Sequence, residues 1–291
     1  MKSDLIKIEK EHFPPQLLEI PHPPKELYVW GNLPDPSLTL IAVVGSRRYT
    51  SYGRDVCKSL IQGLAGYPVG IVSGLALGID TIAHETALAV GLPTFAFPGS
   101  GLDPSVLYPR ANMHLAEKIV ASGGGLISEF APDFKATIWS FPQRNRLMAG
   151  MVRAVLIIEA EEKSGTLITA RLATEYNRDV FAVPGSIFSE SSKGTHMLLR
   201  LGATPITNSR DILEALGFTV TTEEIRKEAN ELYASASSEE KNVLDLLREP
   251  KEKDELFALL DIPITQANAL LSLMEIKGMI KEEYGEIRKN V

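Results

Sequence analysis

Only one cysteine, Cys57, stands in the 291 residues, so no internal disulfide can form and a reducing compartment is the natural setting. The first residues, MKSDLIKIEKEHFPP, lack the apolar core of a signal peptide. No apolar run reaches the length of a membrane span. The expectation is a soluble, cytoplasmic chain with no membrane partner. Positive charge is in deficit, with 30 Lys and Arg against 37 Asp and Glu and a formal net charge of −7. A surface basic all over is excluded, but a local basic groove is not.

Several chemical signatures are missing too. There is no G-x-x-x-x-G-K-[ST], which argues against P-loop ATP hydrolysis. No G-x-G-x-x-G follows the first apolar run, so a dinucleotide is disfavoured. The five histidines are scattered and form no Cys/His set for zinc, and no G-x-S-x-G nucleophile elbow occurs. No cofactor, metal or catalytic residue is therefore expected, and the chain reads as a binder rather than an enzyme.

What remains is a rhythm. Residues 1–37 are Pro-rich and read as an extended lead-in that packs through Phe13, Tyr28 and Trp30. From Thr39, short apolar runs alternate with helical spacing. The runs are 40–44 (LIAVV), 69–72 (VGIV), 94–97 (TFAF), 126–128 (LIS), 154–159 (AVLIIE) and 180–183 (VFAV). Continuous apolar strands are those buried on both faces, as in parallel sheets. The intervening segments 55–64, 81–90, 111–121 and 167–177 carry helical periodicity. The pattern predicts a Rossmann-like, doubly wound, mainly parallel α/β domain over 38–217, with ligands beyond the carboxyl ends of its strands. Residues 218–237 read as an acidic, Ser-rich linker. Residues 238–291 offer three helical stretches (about 238–248, 253–261 and 264–277), then a hairpin turning at Tyr284-Gly285: a small winged-helix-like domain. That unit holds 8 Lys and Arg against 12 Asp and Glu, and its third helix has Lys277 as its single basic residue. Duplex binding by that helix would be poor, and an accessory or protein-contact role is expected.

The strand ends carry the candidate chemistry. The first runs into Gly45, Ser46, Arg47 and Arg48, a small-residue turn with two forked phosphate donors ahead of a helix near Thr50-Ser51. A strand-to-helix turn with solvated arginines is the plainer alternative. The second ends in Ser73 and Gly74, followed by Asp80, a candidate helix N-cap, and His84, expected to be packed or hydrogen-bonded. The segment Phe141, Pro142, Gln143, Arg144, Asn145, Arg146 sets an aromatic beside two arginines and two amides, the composition that stacks bases and holds phosphates of a single strand. Alternatively its arginines pair with Glu129 or Asp133. A later turn, Ser164, Gly165, Thr166, opens another helix, and Pro184-Gly185-Ser186 is a further turn of the kind. With Arg110 and Lys135, these residues predict a basic ridge along one sheet edge. Several phosphate-sized sites in a row suit a polymer better than one nucleotide.

Together the segments VVGSRRYTSYG, IVSGLALGIDTIAHETAL, LYPRAN, GGGLISEFAP, FPQRNRLMAGMVRAVLIIEA, SGTLITARLATEYNRDVFAVPGSI and KGTHMLLRLGA resemble the DprA/Smf family (DNA-processing protein A), over about residues 23–216. The resemblance implies a non-enzymatic dimer that binds and protects single-stranded DNA and loads RecA on it during natural transformation. It assigns DNA contacts to Gly45, Ser46, Arg47, Ser73, Gly74, Arg110, Phe141, Arg144, Asn145, Arg146, Ser164, Gly165 and Thr166. The chain departs from the family at its start, where the helical module of many members has no counterpart, in a longer stretch between Asp103 and Tyr108, and at His196, where asparagine is common. A different reading is a nucleotide-processing enzyme, a phosphoribohydrolase of the lysine-decarboxylase-like (LOG) group on a similar core. That group has an acid shortly after its glycine turn, and Ser164-Gly165-Thr166-Leu167-Ile168-Thr169 has none.

Overall fold

A computed structural model describes residues 5–219, 236–277, 279–283 and 285–289. The chain divides after Thr219 into two compact units.

The first unit is built on a nine-stranded sheet. Its strands are β1 (Leu5–Ile8), β2 (Leu27–Gly31), β3 (Thr39–Val44), β4 (Val69–Ser73), β5 (Thr94–Ala96), β6 (Gly125–Ser128), β7 (Ala154–Ile157), β8 (Asp179–Ala182) and β9 (Thr204–Pro205), in the order β1-β2-β6-β5-β4-β3-β7-β8-β9. Strands β3 to β9 pair in parallel, and β1 and β2 add an antiparallel edge beyond β6. The six apolar runs of the sequence are β3 to β8. The proline-rich lead-in is not a separate extended segment: it supplies β1, β2 and a short helix α1 (Pro15–Leu18), while Phe13 and Leu17 are buried in the main core. Strands of four and five residues are too short for periodicity to show.

Helices cover both faces. One face of β3, through Leu40, Ala42 and Val44, joins Leu147, Met148, Ala170 and Ala173 of α5 (Ser140–Met151) and α6 (Gly165–Glu175) in the main core. The alternate residues Ile41 and Val43 point to the opposite face, where α2 (Ser51–Gln62) and α3 (Ile79–Ala89) pack together. Helix α2 buries Gly53, Cys57, Leu60 and Ile61, a spacing of four, three and one that marks a single stripe. Farther along, α4 (Met113–Ala121) closes a smaller cluster with Leu75, Leu102 and Leu126. Helices α7 (Lys193–Arg200) and α8 (Ser209–Ala215) complete the unit.

The order matters for function. From β3 the chain moves outward through β4, β5 and β6, then returns to the other side of β3 for β7, β8 and β9. The sheet therefore switches direction between β3 and β7, and a crevice opens beyond their carboxyl ends.

The second unit carries α9 (Ser238–Leu246), β10 (Lys251–Glu252), α10 (Lys253–Leu260), α11 (Ile264–Ile276), β11 (Ile280–Glu283) and β12 (Glu286–Lys289), with sheet order β10-β12-β11. Three helices and a small antiparallel sheet are a winged-helix arrangement. Gly285 turns β11 into β12 with φ +83°, a conformation glycine adopts freely. Tyr284 lies outside the described residues. Lys277, just past α11, bonds the buried Glu240 at 2.6 Å and so serves the unit's own packing. Among the described residues no single helix in either unit is long and apolar enough to cross a membrane.

Candidate nucleic-acid interface

The crevice at the switch point is a cleft of about 360 Å³. Of the residues marked in the sequence it gathers Gly45, Arg47, Phe141, Arg144, Asn145, Ser164, Gly165 and Thr166, with Asp80, Ile138, Met148 and Thr169. A larger hollow of about 900 Å³ lies at the amino ends of β3 and β7, lined by residues such as Phe13, Pro14, Leu38, Val152 and Arg153. It contains none of the marked residues and sits at the end of the sheet away from the strand-to-helix turns.

Arg47 and Phe141 form the cleft's mouth. The Arg47 guanidinium carbon lies 5.2 Å from the Phe141 ring centroid, and Tyr108 tilts against the same ring at 5.7 Å. The ring rests on Gly99, where any side chain would collide with it. Phe141 is half-buried, while Arg47 is exposed. Arg47 and Phe141 also bound a small hollow with Gly74, Leu77, Tyr108 and Pro109, which continues the surface toward exposed Arg110. Lys135, on the loop before α5, and Arg48 are exposed as well. Among the described residues none of Arg47, Arg48, Arg110 and Lys135 has an ion-pair partner.

Two of the expected anion-binding turns are filled from within. At the head of α2 the anion is Glu159: its Oε2 accepts from the Thr50 amide at 3.0 Å and its Oε1 from the Thr50 hydroxyl at 2.5 Å. A carboxylate held 109 residues away thus takes the positive end of that helix. At Ser73-Gly74 the anion is Asp80. This residue is not the N-cap of α3, which is Gly78; its Oδ2 accepts from the amides of Gly74 and Ala76 at 3.1 and 3.3 Å. Ser73 is buried, and its hydroxyl donates to the Val43 carbonyl at 2.7 Å rather than facing a phosphate. Ser46 caps its own turn, accepting from the Arg48 amide at 3.0 Å. Gly78, at φ +91°, lets the two turns touch, since a side chain there would strike the Ser46 carbonyl.

The third turn stays open. Ser164 caps α6 by accepting from the Thr166 amide at 3.2 Å, and the Thr166 hydroxyl reaches across the cleft floor to the Gly45 carbonyl at 3.2 Å. A Cβ on Gly165 would meet nothing within 4 Å. Among the described residues no carboxylate is bonded to this helix N-terminus, unlike that of α2, and it faces the cleft.

The arginines of α5 separate. Residues 141, 144, 145 and 148 share one helical face and line the cleft. Arg144 is buried, and its Nη1 donates to the Gly74 carbonyl at 2.5 Å and to the Phe97 carbonyl. Burial pulls its guanidinium down to about 10, against the nearby Asp80. Asp80 is pushed the other way: burial raises its carboxyl, opposed by Arg144, the two amides and Arg47. The expected phosphate donor is thus a strut that joins α5 to the ends of β4 and β5. Arg146 lies on the far side of the helix, bonded to Glu129 and to the His22 carbonyl. Gln143, exposed, also serves Glu129. The two arginines of the segment therefore do not act together on one ligand, and Arg146 is not part of the cleft.

Sequence reasoning passed over Asn112 and Ile138. Asn112 is buried and donates to the Leu75 carbonyl and the Thr81 hydroxyl at 2.8 and 2.9 Å, fixing the loop after β4. Its signal was only an asparagine after a Tyr-Pro pair. His84 is buried and pairs with the Thr94 hydroxyl at 2.7 Å, not with Asp80.

Comparison with known proteins agrees with this architecture. The model of the family described as DNA recombination-mediator protein A matches residues 4–217. Protein Smf of Escherichia coli is 42% identical over 214 residues, covering 74% of this chain and 57% of that protein, so the chain matches little more than half of that relative's length. The DNA processing protein DprA of Streptococcus pneumoniae is 43% identical over 217 residues, covering 75% and 76%. The X-ray structure of the pneumococcal DprA superposes with a TM-score of 0.68 at 39% identity over 75% of this chain and 76% of that one. DNA processing protein A of Helicobacter pylori, whose structure is described for its single-stranded DNA binding mode, superposes with a TM-score of 0.65 at 33% identity, covering 74% and 98%. By its sequence, its sheet order and the matched span, the chain belongs to the DNA recombination-mediator protein A family, DprA/Smf.

Proposed function

We propose that this chain is a cytoplasmic, non-enzymatic binder of single-stranded DNA that shields the incoming strand and promotes RecA loading onto it. The observation that carries the reading is the meeting of Arg47 and Phe141 at the mouth of the switch-point cleft. One side chain supplies a phosphate donor and the other a stacking face, and Ser164, Gly165 and Thr166 present an open helix N-terminus beside them. Arg48, Arg110 and Lys135 extend positive charge around this opening. Gly45, Ser46, Gly74, Arg144 and Asn145 shape it. The H. pylori relative's single-stranded DNA binding supports the same substrate.

Fluorescence anisotropy with a labelled oligothymidylate and with a duplex of equal length tests the reading. Binding of the single strand that weakens in Arg47→Ala and Phe141→Ala is expected. Equal affinity for the duplex, or wild-type affinity in both variants, overturns it. For RecA, the expected result is faster filament growth on oligonucleotide coated with single-strand-binding protein. We also place self-association on the exposed apolar residues Ile187, Phe188 and Leu201, which are 77%, 91% and 76% accessible around α7. Exposed apolar side chains just before and just after α7 suit a homodimer contact.

A further inference from the structure

The loop that carries Ile187 and Phe188 is tied at both ends to the first turn of α2. At its start the Tyr52 hydroxyl donates to the Pro184 carbonyl at 2.6 Å. At its end the Ser191 hydroxyl donates to Glu159 Oε1 at 3.1 Å, the same oxygen that accepts from the Thr50 hydroxyl. Glu159 is buried, so its carboxylate is a junction inside the fold rather than a surface ion. Between the two ties the Ser189 amide donates to the Ser186 carbonyl at 3.1 Å, which folds the loop back and leaves Ile187 and Phe188 exposed at its tip. The other side of the junction leads to the cleft mouth. Thr50 caps α2, accepting from the Gly53 amide at 3.1 Å, and it follows directly on the turn of Ser46, Arg47 and Arg48. A base that takes the Phe141 ring must move Arg47 from it, and the turn that carries Arg47 ends on the Glu159 carboxylate.

We propose that Tyr52, Glu159 and Ser191 are positioning residues that carry occupancy of the Arg47–Phe141 site to the self-association loop. This rests on both readings above, the single strand at Arg47 and Phe141 and self-association at Ile187 and Phe188. A strand that fixes the Arg47 turn also fixes Thr50 and the first turn of α2. Through Tyr52 at one end of the loop and Glu159 with Ser191 at the other, it then presents Ile187 and Phe188 to a second copy in one arrangement. Linkage makes the effect reciprocal: the second copy tightens the hold on the strand by the factor with which the strand tightens the dimer.

The test measures the dimer dissociation constant by sedimentation equilibrium, with and without saturating (dT)6, a strand kept short so that one protomer takes it. In the intact protein the oligonucleotide should tighten the dimer by about fivefold or more, the lower end of ordinary coupling between sites. Tyr52→Phe and Ser191→Ala each remove one hydroxyl and leave the Thr50–Glu159 bonds in place. The variant carrying both should still bind (dT)6 and still dimerise, but its dimer constant should no longer respond to the oligonucleotide. A general loss of stability would weaken both equilibria without uncoupling them. No tightening in the wild type, or the same tightening in the double variant, overturns the proposal while leaving strand binding and self-association intact. If the double variant fails to fold, the single variants decide: each should lose part of the tightening, and full tightening in both overturns the proposal. Failure of the wild type to bind (dT)6 overturns the single-strand reading, and failure to dimerise overturns the self-association reading; either takes this inference with it.

Discussion

The guanidinium of Arg47 lies over the ring of Phe141 at 5.2 Å from guanidinium carbon to ring centroid. A base that stacks on this ring must displace the arginine or slide beside it, and the displaced arginine is then within reach of the phosphate that follows. The pair is a cation–π contact in the free protein, and under the proposed single-strand reading it becomes a two-part grip on a nucleotide.

Phe141→Ala should weaken single-strand binding by about 1–3 kcal/mol, the range for one stacked base. Arg47→Ala should lower the slope of log K against log salt by about 0.7, one phosphate contact on a single strand. The double variant should fall short of the sum of the singles, because each loss removes the other's partner. Anisotropy titrations at several salt concentrations measure all three.

Arg146 and Arg144 should behave differently from Arg47. Arg146→Ala strips a shielded Glu129 of its counter-charge and should cost about 3 kcal/mol of stability while leaving the salt slope unchanged. Arg144→Met removes donors from the Gly74 and Phe97 carbonyls and should cost a comparable amount, about 3 kcal/mol. Denaturant melts and the salt slope together distinguish strut from ligand contact. A flattened slope with native stability in Arg146→Ala would place that residue on the DNA.

His84 should make stability fall in acid. Burial, with Arg144 adding repulsion, pushes its imidazole down to about 3 from the ordinary 6.5. Between those values the unfolded chain binds a proton that the folded one refuses, so stability rises with pH by up to about 1.4 kcal/mol per unit. Asp80, whose folded carboxyl is raised above its ordinary value of 3.8, acts in the opposite sense just above that value. The difference in unfolding free energy between wild type and His84→Gln, followed from pH 7 to pH 4, isolates the histidine: it should shrink as pH falls below 6.5. A difference constant across that window would show that His84 is charged in the fold.

Phe188→Glu should convert a dimer to a monomer in sedimentation velocity without changing the circular dichroism, since the ring is 91% accessible and supports no core. An unchanged sedimentation coefficient would move the contact elsewhere.

Much of the architecture was written locally. Residues 40–44 are apolar without alternation because β3 is buried on both faces, and a strand of that kind declares a parallel sheet by itself. The glycine and serine turns after β3, β4 and β7 likewise announced where the chain would bend. The edge strands β1 and β2 were hidden because four or five residues carry too short a pattern, and because the antiparallel pairing of β2 with β6 is set by a partner about a hundred residues away.

The sequence by itself determined the doubly wound α/β class, the place of the small-residue turns and the presence of Arg47, Phe141 and the Ser164–Thr166 turn among them, since strand burial, helix capping and turn chemistry act over a few residues. Only the tertiary structure decided which turns stay open to a ligand. Glu159 fills one and Asp80 another, and helical geometry sends Arg146 to the far side of α5 while drawing Arg144 inward. Those outcomes depend on charges meeting across the sheet, where a buried carboxylate or guanidinium must find a partner wherever the fold places one.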